Sequence, residues 1–185
     1  MTQKLIIFVG MPGSGKSICV QHLKDKGLKS VYFGGITIKE LENRGLELTP
    51  ENEKKVREDI RNNQGPDAYA KIIIGEIEQL QNEQLIVVDG LYTWSEYKLF
   101  KSMYADNAVV IAVVAPRDLR HQRLEKRPHR PLTKDQANER DYSEIEKLEK
   151  GGPIANADYY LPNTEDVDGL LAGLDNLLKK INISI

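Results

Sequence analysis

LIIFVGMPGSGKS, Leu5 to Ser17, decides the fold. Its first half is a short apolar run rich in β-branched residues with no polar alternation, the signature of a strand covered on both faces. Its second half, Gly10 to Ser17, reads Gly, four residues, Gly, Lys, Ser, and a helical stretch follows. A loop of that pattern between a buried strand and a helix is built to hold phosphates. Gly13 and Gly15 let backbone N–H groups converge on phosphate oxygens, and the following helix aims the positive end of its dipole at the same point. Lys16 brings a point charge to the β and γ phosphates, and Ser17 brings a hydroxyl for Mg²⁺. Gly10, Met11, Pro12, Ser14 and Ile18 complete the expected nucleotide-binding cradle. Cys19, just inside the helix, reads as a small core residue.

Working outward, three more runs share the buried-strand character: SVYF (Ser30 to Phe33), LIVVDG (Leu85 to Gly90) and AVVIAVVAP (Ala108 to Pro116). A weaker fifth, ADYYLP, spans Ala157 to Pro162. Helical stretches lie between them. In the last of these, Val167, Leu170, Leu171, Leu174, Leu177, Leu178 and Ile181 follow the spacing of one helix face. Strands alternating with helices predict an α/β fold: a five-stranded parallel sheet flanked by helices in three layers, with ligands bound beyond the carboxyl ends of the strands. The 185 residues suit a single domain, 1–185. The gap between the second and third runs exceeds one crossover helix and holds two helix starts, Thr49-Pro50 and the break at Gly65-Pro66-Asp67. Residues 36–81 are therefore expected to form a helical acceptor-binding insertion. A second insertion, a lid over 124–150, opens where Arg127-Pro128 and Arg130-Pro131 end a helix, and Thr133 to Gln136 has the spacing of a capping box.

Composition narrows the function. With 40% hydrophobic and 29% charged residues the chain is neither disordered nor low in complexity. Its 26 basic and 28 acidic residues leave a net charge of −2, which argues against a general nucleic-acid coat. No apolar run approaches a membrane span or a signal segment, so the expected address is cytoplasmic. Against this acidic background, Arg117 to Arg130 carries six basic side chains and two acidic ones. On a helix Arg120, Arg123 and Arg127 fall within about 60° of one another and are expected to present guanidinium groups to an anion. No aromatic residue interleaves them, so nucleic acid is a poor fit. Asp89, at the end of the LIVVDG run, is placed to hold Mg²⁺ or orient an acceptor hydroxyl. Glu96 stands between a functional acid and a solvated one. Arg140 of Arg140-Asp141 is expected to reach the transferring phosphoryl group. His22, His121 and His129 show no metal-ligand spacing and read as surface or phosphate-proximal residues. Met11 and Trp94 read mainly as packing residues.

The Gly10 to Ser17 loop, Asp89-Gly90, RLEKR (Arg123 to Arg127) and ADYYLPN together resemble the nucleoside monophosphate kinase superfamily, with adenylate kinase and dephospho-CoA kinase as relatives. RGLELTPEN (Arg44 to Asn52), GPDAYAK (Gly65 to Lys71), ERDYSEIE (Glu139 to Glu146) and GGPIANADY (Gly151 to Tyr159) make the chain most similar to an adenylate-kinase-related, dephospho-CoA-kinase-like group common in archaea. The resemblance covers nearly the whole chain. It implies an ATP- and Mg²⁺-dependent phosphotransferase in which Arg123 lies near the adenine, Arg127 contacts ATP phosphates and Arg140 is a lid arginine. Asn163 would lead into the loop that borders the adenine. Two places depart from the pattern. Relatives carry an acid and then an arginine after the second strand, where this chain has Gly35 and Ile38, and often an arginine just after Asp-Gly, where it has Tyr92. Arg61 and Lys39 are the remaining acceptor-side cations. The expectation is a kinase for a nucleotide or nucleotide-like acceptor, monomeric or homodimeric. The rival is a nucleotide-dependent switch or slow ATPase with no small-molecule acceptor.

Overall fold

The computed structural model describes residues 3–128 and 130–185, and His129 lies outside them. The chain runs β1 (Lys4–Val9), α1 (Lys16–Asp25), β2 (Lys29–Tyr32), α2 (Phe33–Asn43), α3 (Pro50–Gln64), α4 (Ala68–Gln79), β3 (Leu85–Asp89), α5 (Trp94–Tyr104), β4 (Ala108–Val114), α6 (Arg117–Lys126), α7 (Lys134–Glu146), α8 (Gly151–Ala155), β5 (Tyr159–Pro162) and α9 (Val167–Lys180). The strands form one parallel sheet in the order β2-β3-β1-β4-β5. The five strands and their parallel pairing are those the apolar runs predict.

Neighbouring side chains of β1 leave the strand on opposite sides, and both sides are covered. Leu5, Ile7 and Val9 join a cluster with Ile73, Ile77, Phe100 and Val110, contributed by α4, α5 and β4. Ile6 and Phe8 join Cys19 and Leu23 of α1 and Leu170, Leu174 and Leu178 of α9. This double burial is why the strand runs lack polar alternation. Among the described residues no helix is long and apolar enough to cross a membrane.

The helix starts read from sequence are present. Thr49 Oγ1 accepts from Asn52 N at 3.2 Å with Pro50 in the first turn, and Thr133 and Gln136 form a complete capping box. Two helices lacked such a signal. α2 follows β2 directly, with Tyr32 at its N-cap and no side-chain cap, so three helices rather than two separate β2 from β3. Phe33, assigned to a strand on its apolar character, is instead the first residue of α2 and is fully buried in the core. The short α8 opens on Gly151-Gly152-Pro153; a Cβ on Gly152 would lie 2.8 Å from the Trp94 ring, so the chain presses flat against α5 there.

Candidate functional site

The Gly10 to Ser17 loop links the carboxyl end of β1, the central strand, to α1. Gly15, at φ +104°, is the N-cap of α1 and makes no side-chain cap, so the first N–H groups of the helix remain available to an anion. A Cβ on Gly15 would stand 2.2 Å from Asn163 Nδ2, and one on Gly13, at φ +78°, 2.6 Å from the Arg120 carbonyl oxygen. Glycine is thus required twice over, for its dihedral angle and for its lack of a side chain. Two distant side chains fix the loop. Arg120 donates to the Pro12 carbonyl at 3.0 Å, and Asn163 Nδ2 donates to that of Ser14 at 2.7 Å.

Those contacts divide the basic segment by role. Arg120 does not face the cleft as the helical spacing suggested. It is buried, gripped by both oxygens of Asp141 at 2.9 and 2.7 Å, and His121 shares that carboxylate at 3.0 Å. His121 is therefore a buried partner of α7 rather than a surface residue. Burial alone would raise the Asp141 pKa, but hydrogen bonds from Arg120 and His121 hold it below the usual range. Arg123 lines the cleft and donates to Asn163 O at 3.2 Å and Oδ1 at 3.1 Å. Arg127 follows the last residue of α6, also lines the cleft, and donates through Nε to the Arg130 carbonyl. The three arginines diverge because each answers a different tertiary partner.

The cleft has a volume of about 610 Å³ and runs from Gly13, Gly15, Lys16 and Ser17 past Ile18, Arg123 and Arg127 to Asn163 and Val167. Lys16 donates through Nζ to the carbonyls of Gly10 at 2.7 Å and Met11 at 3.2 Å. Burial, and then the ammonium of Lys150, lower its pKa to about 7, against the pull of Glu144 and Asp89. Asp89 ends β3 in register with Phe8 and Tyr32; burial raises its carboxyl, countered chiefly by Lys16. Among the described residues no three His, Cys, Asp or Glu side chains converge. The fit for a nucleotide and its metal rests instead on the open helix start, the Ser17 hydroxyl and the adjacent Asp89. Mg²⁺ suits such a place, since it takes one or two protein ligands and fills its shell from phosphates and water. Cys19 is fully buried, and burial pushes its thiol up to about 12, so it is inert.

On the other side of Asp89 the surroundings change. Tyr92 packs edge-to-face against Phe33, centroids 5.9 Å apart, and burial pushes its phenol upward. The half-exposed Tyr32 lies across the start of α2, where a Cβ on Gly34 would meet its ring at 2.2 Å and Gly35 leaves room beneath it. Arg61, from α3, stacks on Tyr69 at 4.5 Å and pairs with Glu96 at 3.4 Å. Glu96 is neither a solvated acid nor open to a ligand. It is fully buried and closes the capping box of α5, accepting from Tyr92 N and Thr93 N at 2.8 Å each. Lys39 is not brought to the nucleotide cleft; it lines a second hollow between α2, α3 and α4, with Asn43, Asn63 and Glu76. Arg140, on α7, sits 3.7 Å from Glu144. Glu144 and Lys150 form a buried ion pair against Tyr92. Neither is marked by its chemistry in the sequence: Glu144 lies within the ERDYSEIE segment and Lys150 just before Gly151-Gly152, and no motif pairs them.

Comparison with known proteins agrees with this architecture. A family model described as "AAA domain" matches residues 6–148. A UPF0200 protein of Thermococcus gammatolerans is 36% identical over 96% of this chain and 95% of its own. The fold is similar to that of shikimate kinase from Bacteroides thetaiotaomicron, with a TM-score of 0.61 at 10% identity over 97% of this chain and 98% of that one. It is similar too to dephospho-CoA kinase from Campylobacter jejuni, with a TM-score of 0.54 at 19% identity over 98% of both chains. The chain is thus a P-loop protein with a kinase-like α/β fold, and it belongs to the AAA-domain family and to the UPF0200 proteins.

Proposed function

We propose that this protein transfers the γ-phosphoryl group of ATP to a small acceptor, a nucleotide or nucleotide-like molecule. The observation that carries the reading is the Gly10 to Ser17 loop between the central strand and α1, with the first N–H groups of the helix free, Lys16 in the cleft, and Asp89 ending the neighbouring strand. A phosphoryl group in transfer asks for positioning and charge neutralisation rather than covalent chemistry.

In this reading the loop amides and Lys16 hold the β and γ phosphates, and Arg123, Ile18 and Val167 flank the nucleoside end of the cleft. Ser17 and Asp89 would hold Mg²⁺, which when bound neutralises and orients the phosphates. Arg127 and Arg140 cover the donor and exclude water, a competing acceptor. Burial and Arg130 and Arg140 nearby lower the pKa of Arg127, a repulsion that a polyphosphate relieves. The chain's own likeness to kinases supports the class of reaction, while the acceptor follows from the chemistry beyond Asp89. There the half-exposed Tyr32 offers a ring and Arg61 a cation, a setting for a planar molecule with an anionic group.

The test is ADP release from Mg-ATP with and without a panel of nucleoside monophosphates, dephospho-CoA and simple sugars. Stimulation by a nucleotide-like acceptor is expected, and Lys16→Ala removes it. Slow release that no acceptor changes, despite tight ATP binding, would overturn the proposal in favour of a nucleotide-dependent switch.

A further inference from the structure

A peptide group is planar and trans, so the carbonyl of one residue and the N–H of the next point in opposite directions. A side chain that holds a loop carbonyl from behind therefore aims an amide at the front. Two side chains do this to the Gly10 to Ser17 loop. Arg120 Nη1 donates to the Pro12 carbonyl at 3.0 Å, which turns the Gly13 N–H away from α6. Asn163 Nδ2 donates to the Ser14 carbonyl at 2.7 Å, which fixes the Gly15 N–H in the same way. Gly13 and Gly15 both line the cleft, and among the described residues neither amide has a backbone partner.

Arg120 has little freedom in this task. It is 6% exposed, and Asp141 of α7 grips both arms of its guanidinium, Nη1 at 2.9 Å and Nη2 at 2.7 Å. Nη1 is thus shared between the Asp141 carboxylate and the Pro12 carbonyl. The α6 backbone closes in from the same side: a Cβ on Gly13 would stand 2.6 Å from the Arg120 carbonyl oxygen and 3.1 Å from Leu124 Cγ. The Pro12–Gly13 peptide is therefore clamped through one guanidinium that a carboxylate on another helix holds in place. If the ion pair served only to join α6 to α7, an apolar pair of similar volume would do as well. An apolar pair has nothing to donate to Pro12. The polar pair is required by the loop rather than by the helices.

We propose that Asp141 and Arg120 are positioning residues for phosphate binding: Asp141, from α7, fixes the Arg120 guanidinium, which sets the Pro12–Gly13 peptide so that the Gly13 N–H meets a phosphate oxygen. This rests on the nucleotide reading of the cleft given above. Neither side chain touches the nucleotide; each acts through the backbone of the loop. One consequence reaches beyond the loop. When α7 lifts from α6, Arg120 loses its carboxylate and the Gly13 amide loses its aim. Seating of α7 and binding of phosphates in the loop therefore favour each other, because a coupling between two places in one molecule is reciprocal.

The experiment uses the full chain and Mg-ADP, which carries no γ-phosphoryl group, so its outcome does not depend on whether transfer takes place. Titration calorimetry reads affinity, and hydrogen exchange followed by mass spectrometry reads α7. In the unaltered protein, saturating Mg-ADP is expected to slow exchange of the amides from Ala137 to Glu146 by about ten-fold. In Arg120→Met with Asp141→Leu, shown to be folded by circular dichroism, affinity for Mg-ADP falls by about ten-fold and Mg-ADP no longer slows exchange there. Arg120→Lys, which keeps a donor for Pro12, restores part of the affinity. Asp141→Asn keeps the shape of the side chain without its charge; it shifts both readings in the same direction by less, and carries the test if the double variant does not fold. A merely structural role would lower stability and leave both readings as they are, so a folded variant that keeps either the full affinity or the protection of α7 would overturn the proposal. So would an unaltered protein that binds Mg-ADP with no change in α7. If the unaltered protein binds no Mg-ADP, the nucleotide reading of the cleft falls, and this proposal with it.

Discussion

The two sides of Asp89 are built differently. On one side, the phosphate-binding motif lies within one continuous loop, Gly10 to Ser17, held from behind by Arg120 and Asn163. Beyond Asp89, the groups come from five different places in the chain: Tyr92 from the loop after β3, Arg61 from α3, Tyr69 from α4, Arg140 and Glu144 from α7, Lys150 from the turn before α8. A loop whose work is done by backbone amides needs few side-chain identities, and they recur at fixed spacing. A cluster assembled from five elements leaves no fixed spacing in the sequence. The loop is accordingly common to P-loop proteins, and the proposed function places this protein's specificity on the far side.

This contrast can be broken at several points. The largest effect is expected at the donor loop: Lys16→Ala lowers acceptor-stimulated turnover by about 10³-fold or more, with an unchanged circular dichroism spectrum, because it removes the main charge on the transferring group. Second is Arg120→Ala. It leaves Asp141 buried with only His121 and frees the Pro12 carbonyl, so unfolding by urea should show a loss of about 3 kcal/mol, with weaker ATP binding in calorimetry. Third is Glu96→Ala on the far side, which strands Arg61 and opens the α5 capping box. It should cost about 2 kcal/mol of stability in the same assay while leaving ATP affinity near its original value.

The last effect is electrostatic. Lys16 has its pKa lowered to about 7 by burial and Lys150, against 10.5 for a free lysine. Between those values the unfolded chain binds more protons at this position than the folded one, so its contribution to stability rises with pH from about 7 to about 10. The melting temperature of the unaltered protein, taken relative to Lys16→Met, should therefore climb across that window. A flat difference would mean that Lys16 keeps an ordinary pKa in the empty site.

The sequence is legible where physics acts locally. Double burial of strands writes apolar runs, phosphate binding writes Gly-Lys-Ser, and caps at Thr49, Thr93, Thr133 and Asp166 write helix starts, of which Thr49 and Thr133 can be read unaided. α2 was hidden because it begins at Phe33 with no cap, directly after an apolar strand. Arg120 and Arg123 look alike on a helical wheel, and only Asp141 and Asn163, from α7 and the end of β5, separate a buried strut from a cleft residue. Glu96 reads as a stray acid until Arg61 and the backbone of Tyr92 and Thr93 surround it. Lys150 and Glu144 are six residues apart in a charged stretch, and nothing there distinguishes a buried pair from solvated neighbours. Long-range contacts decide these cases, and they leave no periodic trace.

The most direct test follows the label itself. ATP carrying a radioactive γ-phosphorus is incubated with the protein, Mg²⁺ and a pool of nucleotide-like small molecules, and the products are separated. The account predicts label in one small molecule of the pool, abolished by Lys16→Ala. Label found only in ATP and inorganic phosphate would contradict it.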